Sequence, residues 1–211
     1  MKPITVAQAQ AYDQYTIETI GIPSLVLMER AALKVFEAAE TFQPQKTLVL
    51  AGGGNNGGDA LAAARLLHCA GYAVDIFLLG NRAHLSADCK RQLAICEHYQ
   101  IPQAAKATAA YDLFIDGIFG SGLDRAISGR YRTAIDQAAD AKVPTLAIDI
   151  PSGINGDTGD IMGTALPAEM TVTLAYAKAG LLKASGPKYC GKLVIADIGI
   201  YAEKDAEKND H

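Results

Sequence analysis

An apolar run, Thr47-Leu48-Val49-Leu50, leads straight into Ala51-Gly52-Gly53-Gly54-Asn55-Asn56-Gly57-Gly58-Asp59. No other stretch limits the fold as much. A short Leu/Val-rich run bounded by glycine reads as a buried strand. The glycines allow positive φ and let a ligand approach bare backbone N–H groups closely. Asp59 is placed to cap a helix over 60–70, whose N-terminus carries the positive end of its dipole. A strand, a bare turn and a helix in that order form a cradle for phosphate or another polar ligand.

The same alternation continues along the chain. Strand-like runs lie at 47–51, 73–79, 112–116, 145–149, 171–175 and 193–198, with helix-like runs at 60–70, 84–99 and 129–140 between the first four. Continuous Val/Ile/Leu runs separated by helices predict a mostly parallel sheet covered on both faces. Right-handed crossovers then give a three-layer α/β/α, doubly wound domain. Two further helices precede it, parted by Gly21-Ile22-Pro23-Ser24. Ser24 is expected to cap the second, which presents Leu25, Met28, Ala32, Val35, Phe36 and Ala39 on one face. With no internal repeat and no linker, residues 1–200 read as a single domain. The charged tail, 201–211, is expected to be disordered.

Composition removes several function classes. A formal net charge of −4 offers no basic footprint for nucleic acid. Cys69, Cys89, Cys96 and Cys190 form neither a CxxC pair nor a Cys/His ligand pattern, so they read as reduced thiols of a cytoplasmic protein. Met1-Lys2-Pro3-Ile4-Thr5 begins no apolar leader, and no segment approaches the roughly 20 residues that span a bilayer.

Two more strands end in an aspartate followed by a glycine turn: Leu113-Phe114-Ile115-Asp116 before Gly117, and Leu146-Ala147-Ile148-Asp149 before Ile150-Pro151-Ser152-Gly153. In an open parallel sheet all carboxyl ends of strands lie on one edge, where ligands bind. Asn55, Asn56, Asp59, Asp116, Asp149 and Ser152 are therefore expected to meet. Each also has a plainer reading. The glycines suit tight packing, Asp59 a helix cap and Ser152 a turn; Lys178 reads equally as a surface lysine. His68, His84 and His98 lack partner spacing, and Cys89 and Cys96 share a helical face in the manner of core residues.

Familiar nucleotide motifs do not fit. Gly52-x-Gly54-x-x-Gly57 matches the dinucleotide fingerprint formally, but the next strand carries Asp75 near its start and ends in Gly80-Asn81-Arg82, with no acid to hold a ribose. No Gly-Lys-Ser/Thr follows the glycines, which excludes a P-loop. Phe119-Gly120-Ser121-Gly122 lacks the frame of a nucleophile elbow.

Asn55-Asn56-Gly57-Gly58-Asp59, Asp116-Gly117-Ile118-Phe119-Gly120-Ser121-Gly122-Leu123 and Asp149-Ile150-Pro151-Ser152-Gly153, in this order, resemble the NAD(P)H-hydrate epimerases, the YjeF amino-terminal family. Leu27-Met28-Glu29-Arg30-Ala31-Ala32, Thr171-Val172-Thr173 with Lys178-Ala179-Gly180-Leu181, and Asp197-Ile198-Gly199-Ile200 support the likeness, which covers essentially 5–200. Ala60 and Asn155 depart from it, where glycine and aspartate are common. The resemblance implies a Rossmann-like three-layer fold and a homodimer that interconverts the R and S epimers of hydrated NADH and NADPH ahead of a separate dehydratase. It implies substrate binding by Asn55, Asn56, Gly57, Gly58, Asp59, Gly120, Ser121, Gly122, Leu123, Asp124, Arg125 and Ala126, with Asp149 beside them. It also implies a potassium ion held by Asn56, Asp116 and Ser152, whose hard oxygen donors do not suit zinc, copper or iron.

The chemistry asks for a proton donor and acceptor next to a hydroxylated carbon. A half-enclosed carboxyl whose pKa is raised can play both parts near neutral pH. Asp149 is assigned this role, with Lys178 assisting. The competing expectation is a non-catalytic binding or scaffold module of the same fold, which has no need of Asp59 and Asp149.

Overall fold

The computed structural model of the chain describes residues 2–201. Six strands form one parallel sheet: β1 (Lys46–Ala51), β2 (Ala73–Leu78), β3 (Leu113–Gly117), β4 (Thr145–Ile148), β5 (Met170–Leu174) and β6 (Lys192–Ala196), in the spatial order β2-β1-β3-β4-β5-β6. The helices are α1 (Val6–Tyr15), α2 (Ser24–Glu40), α3 (Asn55–Cys69), α4 (Ala87–His98), α5 (Gly129–Ala141) and the short α6 (Gly186–Cys190).

Strand periodicity assigns the layers. Val49 and Ala51 of β1 face one way and join the apolar faces of α2, α3 and α4, while Leu48 and Leu50 face the other way with Phe114 and α5. This is the expected three-layer α/β/α arrangement. The chain leaves β1 for β2 on one side and returns to place β3 on the other. That reversal opens a crevice beyond the carboxyl ends of β1 and β3.

Three local expectations are corrected. Helix α3 begins at Asn55 after Gly54, so Asp59 lies inside it and caps nothing. Gly57 and Gly58 are poor helix formers, but the close packing described below requires them there. Pro23, not Ser24, precedes the first turn of α2; the Ser24 hydroxyl instead donates to Asp88 Oδ2 at 2.6 Å. Helix α4 starts later than expected, capped by the Ser86 hydroxyl, which accepts from the Cys89 amide. The first helix runs on as a π-turn, Thr16–Ile20, closed by Gly21 at φ 87°. Among the described residues no helix is long and apolar enough to cross a membrane. The tail expected to be disordered lies outside the described residues, Tyr201 apart.

Candidate active-site cleft

A cleft of about 760 Å³ opens over the carboxyl ends of β1 and β3. The 53–56 turn, the 118–123 loop, Asp149, residues 174–178 and the starts of α2 and α4 wall it, and α1 closes one side.

Close backbone approach builds this edge. The Gly52 amide donates to Gly117 O at 3.1 Å, and a Cβ on Gly52 would collide with the Ile118 carbonyl. A Cβ on Gly57 would strike the Gly52 carbonyl, and one on Gly58 would lie 2.6 Å from Met28 Cε. The glycine run therefore serves contact between chain segments. None of Gly52, Gly53, Gly54, Gly57 and Gly58 uses the positive φ that glycine allows. Gly57 and Gly58 face inward, leaving Gly53, Gly54, Asn55 and Asn56 of this run on the cleft wall.

Positive φ falls on a catalytic candidate instead. Asp149 follows β4 at φ 66°, a left-handed conformation that an ordinary side chain adopts only under constraint. Its constraints are visible. Asp149 Oδ1 is paired with Lys178 Nζ, and Oδ2 accepts from the Ser121 amide at 3.2 Å. Lys178 is buried, not a surface lysine, and donates further to Leu174 O at 2.8 Å. Ile4 fixes the lysine's backbone: its amide donates to Ala177 O, and its carbonyl accepts from the Ala179 amide. Asp149 is thus a carboxylate ion-paired to the lysine expected to assist it, beside the second glycine loop.

Burial lifts other carboxyls. Asp59, in the second turn of α3, is pushed well above the usual range by desolvation, then by repulsion from Asp149, Asp13 and Asp88. Asp13, on α1, is raised by burial and by Asp149, with Lys178 opposing. Asp116 is pushed up to about 6 by complete burial, against hydrogen bonds from Ser152 and Ile118 that favour its charge.

The convergence expected of the strand ends is partly as foreseen. Asn55, Asn56, Asp59, Gly120, Ser121, Gly122, Leu123, Asp149 and Lys178 all reach the cleft. Asp116 and Ser152 lie behind the second loop: Ser152 Oγ donates to Asp116 and accepts from the Phe119 amide at 2.9 Å. Asp124, Arg125 and Ala126 are exposed and outside the cleft wall, and Arg82 is occupied by Glu97 at 2.5 Å. Asp13 and Asp88 also line the cleft, although no motif announced them.

Asn56, Asp116 and Ser152 fit a hard monovalent cation. All three offer oxygen, and Asp116 is wholly buried with donors that are neutral N–H and O–H groups. Only the Oδ1 of the Asn56 amide could face such an ion; its Nδ2, buried without a hydrogen-bond partner among the described residues, is a donor and adds nothing to the fit. A Cβ on Gly120 would lie 3.1 Å from Asn56 Oδ1 and 3.2 Å from Asp149 Oδ2, so this amide and the ion pair flank the same loop.

Comparison with known proteins agrees. The family model for the YjeF-related protein N-terminus matches residues 24–180. An NAD(P)H-hydrate epimerase of Limosilactobacillus fermentum is 52% identical over 94% of this chain and 98% of its own length. One from Levilactobacillus brevis is 46% identical over 98% of each. The crystal structure of yeast ynu0 superposes with a TM-score of 0.76, at 22% identity over 85% of this chain and 83% of that one, and so shares the fold. A family model covering most of the sequence and near-half identity to full-length relatives lead to one conclusion: this chain belongs to the YjeF-related amino-terminal family.

Proposed function

We propose that the cleft epimerises hydrated NADH and NADPH at the hydroxylated carbon of the nicotinamide ring, an isomerase step that repairs damaged coenzyme before dehydration. The observation that carries this reading is the Asp149–Lys178 pair, buried on the cleft wall and held there in a left-handed backbone conformation. The relatives named above as NAD(P)H-hydrate epimerases support the substrate.

The hydrated carbon carries both a hydroxyl and the ring nitrogen. Losing the hydroxyl or opening the ring destroys the stereocentre, and re-addition from the other face yields the epimer. Either course needs a group that moves a proton at that oxygen. Asp149 supplies it, and Lys178 holds the carboxylate in place and balances its charge. The backbone of 53–56 and of 120–123 receives the polar remainder of the dinucleotide, with N–H groups at the start of α3 suited to phosphate.

The reading includes a potassium ion at Asn56, Asp116 and Ser152. When bound it supplies positive charge against Asp116 and against the substrate phosphates. It also includes a cytoplasmic homodimer whose product passes to an NAD(P)H-hydrate dehydratase. The test is direct: incubate the protein with one purified epimer of hydrated NADH and follow the other by chromatography. Growth of the second epimer supports the reading, and an unchanged mixture favours a non-catalytic module.

A further inference from the structure

Asp59 borders the cleft from the second turn of α3 and is only 7% exposed. Among the described residues no hydrogen bond or ion pair reaches its carboxyl. The titratable groups that face it are Asp149 beyond β4, Asp13 on α1, and Asp88 and the Cys89 thiol on α4. Every one of them is neutral or negative. The ammonium of the cleft wall, Lys178, is taken up by Asp149. Burial and three neighbouring carboxylates therefore keep the proton on Asp59 well above the usual aspartate range.

Asp149 has the opposite surroundings. It receives the lysine, the Ser121 amide at 3.2 Å and the Leu174 amide at 3.4 Å. The cleft thus holds two carboxyls, one with no donor in reach and one surrounded by donors.

We propose that Asp59 is the proton donor of the epimerisation, protonating the hydroxyl that leaves the hydrated carbon, while Asp149 acts as the base. This assignment rests on the epimerase reading of the cleft. As the C–O bond breaks, the Asp59 proton passes to the departing oxygen, water leaves, and the ring nitrogen's lone pair forms a C=N bond. Water then adds to the opposite face of that carbon and the C=N electron pair returns to nitrogen. The added oxygen releases its surplus proton to Asp149. Exchange with solvent carries a proton from Asp149 back to Asp59, and the cycle closes.

The experiment measures kcat and KM on one purified epimer across pH, for the wild type and Asp59→Asn, with melting temperatures alongside. An amide matches the neutral acid in size, so the variant is expected to melt no lower than the wild type. Its KM should stay within about threefold while kcat falls about 100-fold or more. Its residual activity should lack the alkaline decline that loss of the Asp59 proton gives the wild type. A kcat within about threefold of wild type, or a loss confined to KM, overturns the assignment. A wild type that fails to interconvert the epimers overturns the epimerase reading and this assignment with it; an active wild type with a fully active variant overturns the assignment alone. Should Asp59→Asn not fold, carboxyl ¹³C titration of the wild type decides. A midpoint well above about 3.9, the ordinary aspartate value, upholds the donor, and a midpoint at that value overturns it.

Discussion

Ser152 binds Asp116 twice: its amide donates to Oδ2 at 2.8 Å and its hydroxyl to Oδ1 at 2.6 Å. The two residues lie in different strand-to-loop segments, so this contact ties the end of β4 to β3 beneath the 118–123 loop. The same hydroxyl accepts the Phe119 amide, extending the tie into the loop itself. A cation at this junction would bind where the cleft's second wall is anchored.

Potassium is therefore expected to raise the melting temperature relative to tetramethylammonium at equal ionic strength, and to raise epimerisation with it. Ser152→Ala should remove that difference and cost about 1–3 kcal/mol by itself, since a buried carboxylate loses a donor and the Phe119 amide its acceptor. Urea titrations in the two salts measure both effects. Equal stability and rate in both salts would count against the ion.

The Asp116 carboxyl sets a pH dependence of unusual sign. Its folded-state pKa is raised from 3.8 to about 6, so its favourable contribution is fully present below about 3.8 and is lost as pH rises through about 6. In potassium-free buffer this loss amounts to at most about 3 kcal/mol. Asp116→Asn should flatten that segment of the stability–pH curve. An unchanged slope between pH 4 and 6 would contradict the raised value.

Asp149 and Lys178 should behave as one unit. Lys178→Met leaves a buried carboxylate without its cation, and Asp149→Asn leaves a buried ammonium without its anion; each is expected to cost about 3 kcal/mol or more. The double variant should lose much less than the sum of the two. All three should lose epimerisation. Denaturant midpoints around this cycle measure the coupling, and simple additivity would mean that the pair is not formed in solution.

Glycines in the first turn are predicted to differ sharply. Gly57→Ala should destabilise by about 1–3 kcal/mol, despite the helix preference for alanine, because the new methyl strikes the Gly52 carbonyl. Gly54→Ala meets nothing within 4 Å and should be tolerated. Melting temperatures of the two variants give the comparison.

What the amino-acid sequence determined by itself was the local order. Strand β1, the glycine turn, the aspartates ending two further runs and the alternation with helices are all written in short-range patterns. One topological rule then carries those strand ends to a common edge. Burial was decided only by the tertiary structure. Asp59 read as a helix cap, yet packing of Gly57 and Gly58 moved the helix start forward and turned the acid into the cleft. Lys178 read equally as a surface residue until Ile4, from the other end of the domain, fixed its backbone beneath Asp149. Asp13 and Asp88 stand on helices whose sequences name no partner, and only the docking of α1 and α4 against the sheet edge brings them to the site. Backbone conformation follows near neighbours along the chain, whereas desolvation and Coulomb repulsion depend on groups that only folding brings together.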